Sequence, residues 1–137
     1  IIKEFDFTSQ TIIIFDIGGG STEYIFLKDG QTIYNTSLNI GSMRCTESYL
    51  RNNPVTEEEV KKLEKHIDSQ MSNLPKFEVD LAIGVAGTVT TLSSVKLGTD
   101  QYDPKLIHKS KLTLEDILST KELLIYLSVN RWDHHYY

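Results

Sequence analysis

The sequence predicts an α/β domain on a mixed sheet, with three opening antiparallel strands and flanking helices. Three observations carry that expectation. The segment Thr11-Ile12-Ile13-Ile14-Phe15-Asp16-Ile17 is a continuous β-branched run ended by glycines, the pattern of a strand buried on both faces. Two further strand-like runs, Glu23 to Lys28 and Thr32 to Asn39, flank Asp29-Gly30, a dipeptide suited to a tight hairpin turn. Two helical patterns, a fourth strand run and two more helical patterns then follow.

Each later element has its own signal. After Gly41 the pattern turns helical through Tyr49 and Leu50 and stops near Asn52-Asn53-Pro54, because proline disfavours helix at the residue before it. Thr56 with Glu59 three positions on reads as a capping box. Val60, Leu63, Ile67 and Leu74 share one helix face, while Glu57/Lys61 and Glu58/Lys62 pair on the other. The run Val79 to Ala86 predicts a fourth strand, and Gly87-Thr88 turns into a helix over Val89 to Val95 closed by Gly98. Thr113 with Asp116 predicts a last helix reaching about Leu127. This gives one domain over residues 1–127 and a C-terminal tail over 128–137.

Bulk properties narrow the function. The 137 residues are 39% hydrophobic and 24% charged, ordinary values for a globular domain. A net charge of -5 argues against a surface shaped to neutralise nucleic acid. Any polyanion must therefore be gripped locally. No apolar run approaches the roughly 20 residues that span a bilayer. The lone Cys45 cannot form an internal disulfide, which predicts a reducing, cytoplasmic setting. The chain begins without Met and runs almost at once into a strand, as a piece of a longer protein would.

The most informative segment is Asp16-Ile17-Gly18-Gly19-Gly20-Ser21-Thr22-Glu23. Three glycines let bare N–H groups approach an anion, and phosphate is the natural one. Asp16 ends a buried strand, where a cation or a set of hydrogen bonds must compensate its charge. Mg²⁺ prefers oxygen ligands and often joins one or two carboxylates to phosphates, so Asp16 and Glu23 are its candidate ligands. Ser21 and Thr22 add hydroxyls. The plainer alternative is a hairpin turn whose glycines serve only φ > 0. No Gly-Lys-Ser/Thr follows, and the next element is a strand, so neither a Walker P-loop nor a dinucleotide fold fits.

A second glycine turn, Gly84-Val85-Ala86-Gly87-Thr88, opens a helix whose first N–H groups can also receive an anion. Alternatively, its glycines only allow close strand-to-helix packing. If the two strands lie side by side, both turns open at one edge of the sheet. Arg44 is open to two readings, a two-pronged phosphate clamp or a surface pair with Glu47. Cys45 reads as a packed small side chain, and His66, His108, His134 and His135 as structural or tail residues.

The order and spacing of Asp16 to Glu23, Ser37 to Glu47 and Gly84 to Thr91 resemble the exopolyphosphatase/guanosine pentaphosphatase family, and the likeness spans about Thr11 to Ile117. Tyr102-Asp103, Ile107-His108 and Leu112-Thr113 look like that family's link between the second glycine turn and the next helix. The resemblance implies a ribonuclease H-like lobe of the actin-like ATPase superfamily, here the second of two lobes. It implies Mg²⁺-dependent release of terminal phosphate from polyphosphate or guanosine pentaphosphate; the alternatives are a non-catalytic phosphate- or nucleotide-binding module and a sugar-kinase or ATPase relative in the same superfamily. It carries over Asp16 and Glu23 as metal-linked or water-orienting carboxylates, and Gly18, Gly19, Ser21, Gly87 and Thr88 as phosphate contacts, to which Gly20, Thr22 and Arg44 are added from their positions in the turns. The first lobe, with its own phosphate loop and a glutamate acting as general base, has no counterpart in this sequence. The expected partners are polyphosphate, guanosine pentaphosphate or tetraphosphate, and that N-terminal lobe; a homodimer is compatible with them. The end, Leu127 to Tyr137, departs from the family pattern of a further strand and helix.

Overall fold

The computed structural model describes residues 9–99 and 103–130, and the side chains of these up to residue 125. Its elements run β1 (Thr11–Ile17), β2 (Thr22–Lys28), β3 (Gln31–Leu38), α1 (Ser42–Tyr49), α2 (Glu57–Met71), β4 (Leu81–Val85), α3 (Ala86–Leu97), α4 (Pro104–Ile107) and α5 (Leu114–Asn130). The four strands form one mixed sheet in the order β3-β2-β1-β4. β2 lies antiparallel to β1 and to β3, and β4 lies parallel to β1. The continuous apolar run is therefore a central strand, as its composition predicts.

Local chemistry accounts for the boundaries. Asp29 (φ 51) and Gly30 (φ 75) both take left-handed conformations, the requirement of a hairpin turn that matches strand twist. Side chains alternate across the sheet. Ile12 and Ile14 pack with Leu27 on one face, where Ile83 and Val85 join them. On the other face Phe26 meets Tyr34 edge-on at 6.0 Å and Phe77 at 5.1 Å between ring centroids. Burying Ile12, Ile14, Phe26 and Leu27 contributes about 1.5–3 kcal/mol each. Gly84 lets α3 settle on that second face: a Cβ there would lie 2.7 Å from a Val89 methyl and 3.0 Å from the Phe15 ring.

Both capping boxes form, and each does more than cap. Glu59 Oε2 accepts from Thr56 N (2.9 Å) and Thr56 Oγ1 (3.0 Å), while Oε1 accepts from Arg51 N (2.8 Å), Asn52 N (3.0 Å) and Asn52 Nδ2 (2.9 Å). One carboxylate thereby holds the whole connection between α1 and α2. The Thr56 amide, then the Arg51 and Asn52 amides, hold its pKa at about 2, against an ordinary 4.5. At the start of α5, Asp116 accepts from Lys96 Nζ (2.7 Å), Thr113 N (2.7 Å) and Thr113 Oγ1 (2.8 Å), which ties α5 to the end of α3. Lys96 first, then Thr113, pull its pKa to about 2.

The Glu59 network gives a pH signature. Because the folded pKa is the lower one, the unfolded chain takes up the proton first as pH falls. The stabilisation is complete above about pH 5 and fades toward pH 2. Glu59→Gln puts an amide NH₂ against donor N–H groups, so its loss in urea midpoint should be large at pH 7 and shrink by pH 3. Parallel pH curves for the two proteins would refute this role for Glu59.

The predicted strands and helices agree with the observed ones within a few residues. α5 runs past Leu127 to Asn130, so the helix crosses the boundary expected for a tail. Residues 131–137, with His134 and His135, lie outside the described residues, as does Tyr102.

Candidate functional site

Because β1 and β4 are parallel neighbours, their carboxyl ends lie at the same edge of the sheet, with Asp16 in register with Val85. Open α/β sheets bind ligands at that edge. The two glycine turns leave from there side by side, and Thr88 Oγ1 donates to the Ile17 carbonyl at 3.2 Å, fastening one turn to the other. Between them lies a cleft of about 550 Å³, bordered by Ile17, Gly18, Gly19, Ser42, Met43, Gly87, Thr88 and Thr91, with Leu92 and Leu124 as an apolar wall.

Left-handed backbone does not explain the glycines of the first turn, since Gly18, Gly19 and Gly20 all lie outside the positive-φ region; a Cβ would meet Ser21 O at 3.3 Å on Gly18 and the Met43 sulfur at 3.1 Å on Gly19, and open space on Gly20. The start of α1 lies against this turn. A Cβ on Gly41 would sit 2.4 Å from Gly19 C, Gly20 C and Ser21 N. Ser42 N donates to Gly18 O (2.9 Å), Arg44 N to Gly19 O (3.0 Å), and Arg44 Nε to Gly20 O (2.7 Å). The turn closes on itself through Gly18 N to Ser21 O at 3.0 Å. Arg44 thus turns to the backbone of the turn instead of to Glu47.

Asp16 and Glu23 stand directly opposite each other in the β1–β2 pairing, so both side chains project from the same face of the sheet. Glu23 Oε1 accepts from Ser21 Oγ (2.5 Å) and Ser37 Oγ (2.9 Å), and these hydroxyls, Ser21 foremost, hold its carboxyl below the usual range. Among the described residues no lysine, arginine or histidine forms an ion pair with either carboxylate. Like charges facing across a strand pair destabilise it. A cation would remove that repulsion. Among the described residues no third carboxylate, histidine or cysteine joins them, so a cation here would complete its shell with water and ligand oxygens. That donor set suits Mg²⁺.

Other expected contacts have different surroundings. Thr22 is 2% exposed and gives its hydroxyl to Ile40 O at 3.0 Å, so its side chain braces the turn from inside the fold. Gly20 and Gly87 have open space where a side chain would project. The sharp bend into α3 falls on Ala86, at φ 69, where a non-glycine residue costs about 1–2 kcal/mol. Cys45 is buried, and burial raises its thiol pKa, in keeping with a packed and unreactive side chain. His66 stacks on Tyr49 at 4.9 Å. Sequence reasoning missed Gly41 and Ser37 as parts of the site. A glycine directly before a helix, with no turn to explain it, was the available signal for Gly41.

A mixed sheet in this order, with paired glycine turns at the carboxyl ends of parallel neighbours, defines a lobe of the actin-like ATPase fold. Residues 1–132 match the Ppx/GppA phosphatase family, and the chain belongs to that family. It is 37% identical over 131 residues to a bifunctional 3-dehydroquinate synthase/phosphatase of Fusobacterium nucleatum, covering 91% of this chain and 20% of that protein. It is 30% identical over 128 residues to exopolyphosphatase 2 of Mycobacterium tuberculosis, covering 90% of this chain and 40% of that protein. A solved Ppx/GppA phosphatase of Aquifex aeolicus superposes with a TM-score of 0.80 at 34% identity, over 86% of this chain and 39% of that one. The chain thus spans two fifths or less of the length of these relatives.

Proposed function

We propose that this chain is the phosphate-holding lobe of a cytoplasmic phosphohydrolase that releases terminal phosphate from polyphosphate or guanosine pentaphosphate with Mg²⁺. The observation that carries this reading is the meeting of the two glycine turns at one sheet edge, fastened by Thr88 and Ile17, with a carboxylate pair beside them that no basic side chain among the described residues neutralises. Backbone N–H groups of Gly19, Gly20 and Ser21 on one side, and Gly87 with the N-terminal turn of α3 on the other, receive phosphate oxygens, while the Gly18 N–H is already given to Ser21 O. Neutralising charge on the transferring phosphoryl group is the main demand of such chemistry. Asp16 and Glu23 are the residues that would hold Mg²⁺, and Ser21 and Ser37 keep Glu23 ionised and oriented. When bound, Mg²⁺ supplies the positive charge that offsets the phosphates. Water attacks the terminal phosphorus in line with the departing oxygen, and the base that takes its proton belongs to the other lobe.

Calorimetric titration of the chain with tripolyphosphate and Mg²⁺ tests this. We expect micromolar binding, weakened about tenfold in Gly87→Ala. That variant fills only open space and puts a better helix former in α3, so its melting temperature should not fall. Failure of the wild-type chain to bind, or unchanged affinity in Gly87→Ala, would count against the site. Phosphate release by this chain alone would move the general base onto it.

A further inference from the structure

We propose that Arg44 is a positioning residue that aims the N–H groups of the first glycine turn, and does so through the turn's carbonyls instead of by touching phosphate. The inference rests on the phosphate reading above. Three consecutive carbonyls, those of Gly18, Gly19 and Gly20, converge on the first turn of α1, where Ser42 N, Arg44 N and Arg44 Nε take one each. In a trans peptide the N–H points opposite to the C=O of the same plane. Fixing those carbonyls therefore fixes the N–H groups of Gly19, Gly20 and Ser21 to face away from α1 together. None of the three donates to a protein acceptor among the described residues. Successive N–H groups facing one way form an anion-binding concavity.

The same bonds consume the first N–H groups of α1. A helix start normally draws anions to itself. Here Ser42 N and Arg44 N are already spent on the turn, so the helix acts as a clamp behind the anion seat. Ser42 gives Gly18 O both its N–H and, at 3.4 Å, its hydroxyl, and Arg44 supplies two bonds, one from its backbone and one from its side chain. Only the second can be removed by substitution, and it alone holds the Gly20–Ser21 peptide plane.

Arg44→Lys and Arg44→Ala in the full chain separate positioning from direct contact. Lysine keeps the charge within reach but loses the Nε–H that meets Gly20 O. We expect both variants to weaken tripolyphosphate binding about tenfold at unchanged circular dichroism, and to shift the amide NMR resonances of Gly19, Gly20 and Ser21 before ligand is added. The dependence of affinity on salt should keep its wild-type slope, because no phosphate contact is lost. Wild-type affinity in Arg44→Lys, unmoved amide resonances, or a reduced salt slope in Arg44→Ala would overturn the role of Arg44 while leaving the phosphate site standing. A wild-type chain that binds no tripolyphosphate would overturn both.

Discussion

Asp16→Asn in the complete protein is expected to lower phosphate release by at least about 100-fold while the fold keeps or gains stability. Both halves follow from the register that sets Asp16 against Glu23. Asparagine keeps the size of the side chain and removes one of two facing charges, which relieves the repulsion. It also removes half of the carboxylate set that would hold the cation. Mg²⁺ should raise the melting temperature of the wild-type chain by binding only the folded state, and should leave that of Asp16→Asn nearly unmoved. Glu23→Gln should behave alike in activity, since glutamine can still accept from Ser21 and Ser37 but carries no charge. Full turnover in both variants would remove these residues from the chemistry.

Gly41→Ala should be the most damaging single-methyl substitution near the site. The added carbon would lie 2.4 Å from three backbone atoms of the first glycine turn, and backbone cannot swing aside as a side chain does. Either the turn or α1 must move, which breaks the bonds from Ser42 and Arg44 to the Gly18 and Gly19 carbonyls. We expect a loss of about 3 kcal/mol and a fall of roughly 10 °C in melting temperature, with phosphate binding lost. Gly20→Ala is the matched control: the same methyl meets nothing within 4 Å, so stability should change by less than about 0.5 kcal/mol. Equal melting temperatures for the two variants would refute the close-approach explanation.

Much of the fold was legible because its signals are local. The β-branched run of β1, the Asp29-Gly30 turn, the Thr56/Glu59 and Thr113/Asp116 boxes and Gly98 at φ 63 each act through neighbours in the chain. The candidate site was legible as a set of residue types, and the pairing of Asp16 with Glu23 follows from a tight turn between two strands. The rest depends on contacts between distant segments. Gly41 looked like the edge of a helix because its constraint comes from residues about 20 positions earlier. Arg44 offered a phosphate clamp or a pair with Glu47 in the sequence, and the fold brings its Nε to the Gly20 carbonyl. Thr22 carries a hydroxyl like Ser21, yet strand alternation turns it inward, where Ile40 takes it. Ala86 carries the left-handed bend into α3, which no residue type in that turn announced. Glu59 was recognisable as a cap, but its hold on Arg51 and Asn52 depends on how the preceding loop returns.

The bond from Thr88 to Ile17 joins residues 71 positions apart, and the β1–β4 pairing that permits it is equally distant in sequence. The β1–β2–β3 meander can form by itself from near neighbours, whereas parallel pairing across such a separation carries the loop-closure cost that slows folding. The two halves of the phosphate cleft therefore come together only after the long-range step is complete. A chain stalled at the meander has one glycine turn and no second wall to face it, so tripolyphosphate distinguishes finished molecules from unfinished ones and, added during refolding, draws the population toward the finished state.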